Sequence, residues 1–135
     1  MLFRSEQVQA LSGGSSAEQT ALLEASINAA ASWNGVINDI IEAWRSGDDQ
    51  RMGQLRERHF PSTGPYRSYA ERMLNIRDSN MAQRLFEHSG SLGATVTRRF
   101  FVLVGAMHLV GPRNLLEQLQ RLGFSVTREN SRSNL

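Results

Sequence analysis

Up to about residue 88 the apolar positions recur at helical spacing, and beyond residue 98 they gather into short continuous runs. Residues 1–11 form a short segment with Leu2, Phe3, Val8 and Leu11 apolar around Glu6 and Gln7. Ser12-Gly13-Gly14-Ser15-Ser16 reads as a loop before a helix. Ser16 with Gln19, or Ser15 with Glu18, fits a capping box, which starts a helix over about 17–31 carrying Leu22, Leu23, Ile27 and Ala30. Trp33, Ile37, Ile40, Ile41 and Trp44 continue the helical period to Ser46-Gly47. Asp48 then caps a short helix to about Arg58, with Met52 and Leu55 inside. After the loop 59–65, Pro65 opens the longest expected helix, about 65–88, with Tyr66, Tyr69, Ala70, Met73, Met81 and Leu85 along one stripe. Ser89-Gly90-Ser91-Leu92-Gly93 ends it.

The remaining stretch, 99–127, predicts a different architecture. The apolar run Phe100–Val104 stops at Gly105, and Gly111-Pro112 introduces a helix over about 112–122 with Leu115, Leu116, Leu119 and Leu122 on its inner face. Gly123 suits a C′ position of positive φ, and Phe124–Thr127 reads as another strand. Strand, helix and strand in so few residues predict a right-handed βαβ unit. The expected fold class is therefore α/β, α+β in appearance: a helical part over 17–88, then the βαβ unit, then a polar tail over 129–135. A parallel sheet of two strands is not viable by itself, so the chain reads either as a small α+β domain or as part of a larger α/β domain.

Composition narrows the function classes. A chain of 135 residues holds at most one domain, and 40% hydrophobic with 21% charged residues is ordinary for a globular protein. The absence of cysteine excludes disulfides and thiolate metal sites. All 15 basic residues are arginine, which raises the pI to 9.9 although the net charge is only +2. They are spread from Arg4 to Arg132 without a basic stripe, so no nucleic-acid partner is expected. No apolar run reaches the roughly 20 residues of a membrane span, and the first residues have no signal-peptide core.

Two places hold candidate chemistry. His108 lies just past the expected strand end, where open α/β folds place their ligands. It reads either as a polar loop residue or as a metal ligand or general base, and Gly105 would permit close backbone approach. Arg77 interrupts an apolar stripe, four residues from both Met73 and Met81. Such an arginine either pairs structurally, with Asp39 or Glu42 as candidate partners, or faces a cleft and holds an anion or a developing oxyanion. Asp78 is a solvated helical carboxylate, a metal ligand or a partner for His108. Trp33 and Trp44 read as core, and His59 and His88 lack helical metal-site spacing.

The segments Leu74-Asn75-Ile76-Arg77-Asp78-Ser79-Asn80-Met81-Ala82, Phe101–Gly111 and Gly123-Phe124-Ser125-Val126, with Ala43–Asp48 upstream, together resemble the TraB/GumN family over roughly residues 6–128. That family includes the Tiki metalloproteases and the PrgY pheromone-shutdown proteins. The resemblance implies an α/β fold with two GxxH motifs, one in each half, and an Arg-Asn or Arg-Asp pair before the second. Gly105 and His108 match the second GxxH, and Arg77 and Asp78 match the pair, with aspartate where many relatives have asparagine. Glu6-Gln7 resembles the Glu-Gln that closes the first half. No first GxxH is present, so the chain is expected to be the C-terminal half of such a protein. The implied function is that of a metal-dependent peptidase acting on a peptide or protein, with manganese, cobalt or zinc as cofactor. In it His108 would bind the metal, Arg77 would stabilise the oxyanion, and Asp78 would be an accessory ligand or orienter. One histidine and one aspartate fall short of the about three protein ligands of a catalytic metal site, so this chain alone is not expected to catalyse. The rival expectations are a non-catalytic peptide- or pheromone-binding role and a helical adaptor. Relatives are often extracytoplasmic or membrane-anchored, which leaves the location of this chain open.

Overall fold

The computed structural model describes residues 4–90 and 100–129. Every regular element among them is helical. α1 (Arg4–Ser12) and α2 (Ser16–Ala29) come first, and the 3₁₀ turn Ala30–Ser32 leads into α3 (Trp33–Ser46). α4 (Asp49–His59) follows after a two-residue connection. α5 (Arg67–Ala70), a π-helical turn (Glu71–Asn75) and α6 (Ile76–Gly90) run on without a break. The 3₁₀ turn Ala106–His108 and α7 (Leu115–Arg121) complete the order.

Local chemistry explains most of the boundaries. Ser15, not Ser16, is the N-cap of α2, and its hydroxyl accepts the Glu18 amide at 3.2 Å. Gly47 ends α3 in the left-handed region, and Asp48 caps α4 by accepting the Arg51 amide at 2.8 Å. The long helix begins at Arg67, two residues after Pro65. α7 is shorter than its pattern predicts because Asn114 takes the N-cap, accepting the Glu117 amide at 3.0 Å. Gly123 follows α7 with φ 92°. Across the molecule, Arg72 donates to Ala10 O at 3.3 Å and pairs with Glu18 at 2.8 Å, which ties α1 and α2 to the π turn.

The expected α/β architecture and its βαβ unit are not present: the described residues contain no strand and no sheet. Residues 100–105 and 124–129 carry the apolar runs read as strands, yet neither forms a ladder. A strand exists only when a neighbour accepts and donates its backbone hydrogen bonds, and an apolar run cannot supply that neighbour. Here Phe101 is 92% exposed and Leu103 88%. Phe124 makes an edge contact with Phe86 of α6, with ring centroids 6.4 Å apart, and so packs on a helix. Leu2 and Phe3, the loop residues Ser91–Gly93, the expected strand start at Arg99 and the tail beyond Glu129 lie outside the described residues.

Among the described residues, two small core clusters have the His108 turn between them. Ala43 of α3, Met52 and Leu55 of α4, and Val110 form one, with Ile40, Ala106 and Met107 against it. Met81 and Ala82 of α6 and Leu115 of α7 form the other, with Val104, Leu119 and Leu122 against it. Residues 104–110 therefore stitch α3 and α4 to α6 and α7. Trp33 and Trp44, read as core, are more than half exposed, as are Leu23 and Ile27, and α2 buries none of its residues.

Candidate functional site

The two residues that the tertiary fold brings together are Asp78 and His108. Asp78 sits in the first turn of α6, directly after the π turn, where the Ile76 amide reaches back to Glu71 O. A π turn inserts one residue into the helical register, and such turns recur at functional sites. Asn75 and Asp78, three residues apart, share the face of this helix that meets α4 and the His108 turn. His108 closes its own 3₁₀ turn, its amide bonded to Gly105 O at 3.0 Å. Gly105 is extended, and a side chain there would meet the His108 ring in ordinary contact.

Asp78 is fully buried, at 0% exposure, and His108 is 8% exposed. His108 Nδ1 lies 2.6 Å from Asp78 Oδ1. With the carboxylate accepting, Nδ1 carries the ring proton and the lone pair of the neutral imidazole is on Nε2. Asp78 Oδ2 has no hydrogen bond, and its nearest cation is Arg56 Nη2 at 3.7 Å. Burial pushes the Asp78 carboxyl above its ordinary range. The His108 hydrogen bond and charge, then Arg56, then Arg77 act against that rise. Burial likewise lowers the basicity of Arg56, and the Asp78 charge opposes it.

Arg56 has no place in the sequence reading. It is only 4% exposed. Its Nη1 donates to Val110 O, and its Nη2 donates to Asn75 Oδ1 at 2.9 Å. Asn75 Nδ2 donates to Glu71 at 2.8 Å, and Arg113 grips the same carboxylate through two hydrogen bonds of 2.9 and 2.7 Å. The signal was present: Arg56 is four residues from Met52 and adjacent to Leu55, on the buried face of α4. Arg77 carries the same kind of signal and attracted it instead.

Arg77 itself is half-buried. Its guanidinium donates to Met73 O, one turn back, at 3.2 Å, and its Nε is buried without a hydrogen-bond partner. Asp39 and Glu42, its candidate partners, pair with Arg51 at 3.0 and 2.9 Å. Glu6 forms an ion pair with Arg84 of α6. Beside the His108 turn, a cavity of about 210 Å³ opens between the end of α3 and the start of α4, with Trp44, Met52, Ala106, Leu109 and Val110 in its wall and Asp48 and Arg128 at its edge. No group of three or more His, Cys, Asp or Glu side chains among the described residues is placed to hold a metal.

The arrangement is a helical scaffold holding an imidazole on a buried carboxylate, with a buried arginine behind it. The chain matches the model of the TraB/PrgY/gumN family over residues 4–128 and belongs to that family. No curated protein and no solved structure matched it. No helix among the described residues is long and apolar enough to cross a membrane.

Proposed function

We propose that this chain carries one part of a metal-dependent peptidase site, with His108 contributing one ligand through Nε2 and Asp78 orienting the ring. The observation behind this reading is the 2.6 Å contact between Asp78 Oδ1 and His108 Nδ1 at full burial of the carboxylate. Metal-binding histidines commonly donate their second ring N–H to a carboxylate, which fixes the tautomer and raises the basicity of the ligating nitrogen. The donor set fits a single ligand to a divalent manganese, cobalt or zinc ion and not a complete sphere. A bound ion of this kind would supply Lewis acidity toward a peptide carbonyl and acidify a water. The complete burial of Asp78 favours the role of orienter over that of ligand. Arg77, half-buried one residue before it, is the candidate oxyanion partner.

The test is titration of the wild type and His108→Ala with manganese, cobalt and zinc. Binding at least about tenfold weaker in the variant is expected, by the usual effect of disturbing a metal site. Equal, weak binding in both proteins would sink the metal reading.

The cavity beside the His108 turn favours a second reading, non-catalytic peptide binding. Its wall of Trp44, Met52, Leu109 and Val110 suits an apolar side chain. Peptide binding that survives in His108→Ala and fails in Trp44→Ala would favour this role over the first.

A further inference from the structure

We infer that Arg56 is a positioning residue for the Asp78–His108 pair, a single guanidinium that sets the separation between the helix holding the carboxylate and the turn holding the imidazole. The inference rests on the reading of that pair as the functional site.

The three attachments of Arg56 define the role. One arm, Nη1, donates to Val110 O, two residues beyond His108. The other, Nη2, donates to Asn75 Oδ1 at 2.9 Å, three residues before Asp78, and also faces Asp78 Oδ2 at 3.7 Å. The planar fork holds both destinations at fixed angles, which a lysine ammonium cannot do. The backbone makes room for it. Gly111 has φ 73°, and a Cβ there would lie 3.0 Å from Arg56 Cδ. Behind the fork, Asn75, Glu71 and Arg113 continue the chain of bonds back to the far side of the same turn. Apart from Asn75 to Glu71, which are one turn apart, these contacts join segments remote in sequence: Arg56 and Val110 are 54 residues apart.

Stability alone does not account for this arrangement. Buried ion pairs are commonly replaced by apolar side chains of similar size with little or no loss of stability. An arginine at 4% exposure that contacts the carboxylate, the helix before it and the turn after the histidine does what an apolar residue there cannot: it fixes the angle at which the ring meets its carboxylate.

The experiment follows the Nδ1 proton of His108 by NMR. Its exchange with water is compared with that of the backbone amides inside α6. Wild type is set against Arg56→Lys, which keeps the charge and loses the fork, and Arg56→Met, which loses both. Exchange of the Nδ1 proton at least about tenfold faster in each folded variant is expected, because losing the fork eases the local opening that exchange reports. The α6 amides should change far less, because the fault is local. Arg56→Lys decides the matter if Arg56→Met does not fold. Wild-type exchange of the ring proton in folded Arg56→Lys overturns the inference, as does acceleration matched by the α6 amides. The measurement needs no metal, so a failed metal titration with a positive result here would reject the metal reading and leave the positioning role standing.

Discussion

Around Arg56, Asp78 and His108, charged and polar side chains are buried, whereas along residues 100–103 aromatic and aliphatic side chains stand in water. Each region inverts the usual distribution. In the first, desolvation is opposed, because each of these side chains meets a partner of opposite charge or a hydrogen-bonding group, drawn from α4, the π turn, α6 and the His108 turn, although Asp78 Oδ2 itself accepts no hydrogen bond. In the second, nothing among the described residues offsets the exposure of Phe101 and Leu103. A polar group is held inside by specific, directional bonds. An apolar run is buried only where another surface meets it, and its own hydrophobicity does not create that surface.

The largest effect expected from breaking this contrast belongs to Asp78→Ala. It leaves Arg56 buried without its carboxylate and should cost about 3–5 kcal/mol, read as a lower urea midpoint. A change below about 1 kcal/mol would show that the pair is not a load on the fold. Next comes Gly111→Ala, which adds a side chain at positive φ against the Arg56 stem and should cost about 1–3 kcal/mol by the same measurement.

A smaller effect, pH-dependent, is expected at Glu71. Hydrogen bonds from Arg113 hold its carboxyl below the ordinary range. Its folded pKa is therefore lower than its unfolded one. The stability it contributes is complete above the unfolded value, about 4.3, and disappears as pH falls through the folded one. Because the pair is partly exposed, it should be worth about 0.2–1 kcal/mol. Glu71→Gln should lower the urea midpoint at pH 7 and have no effect once the wild-type carboxyl is protonated. A difference that persists into strong acid would assign the effect to packing.

The smallest effect should come from the other side of the comparison. Phe101→Ser with Leu103→Ser should shift stability by less than about 0.5 kcal/mol, because neither side chain is packed. A loss of about 2 kcal/mol or more in thermal or urea unfolding would show that this segment is buried in solution and would remove the contrast.

Several parts of the structure were legible along the chain because their causes lie within a few residues. Ser15 and Asp48 act on amides three positions away, and Gly123 ends the turn it follows. The apolar period of α3 and α4 marked both as helices. The runs at 100–104 and 124–127 have no such local cause, since strand pairing depends on a second segment, and the structure makes neither into a strand. Trp33 and Trp44 stand exposed where their period predicts core, for the related reason that periodicity names a face without saying what covers it.

The candidate site divides in the same way. Sequence by itself determined α2, α3, α4 and most of α6, the caps at Ser15 and Asp48, and family membership, and it singled out His108, Arg77 and Asp78 as chemically capable groups. Only the tertiary structure decided that they meet, across 30 residues, and that Arg56 stands behind them while Arg77 turns back to its own helix. The physical reason is range. Capping and periodicity are settled by neighbours along the chain. The partner of a buried charge is whichever group the packed helices bring within a few ångströms, and at that scale positions 56, 78 and 108 are neighbours.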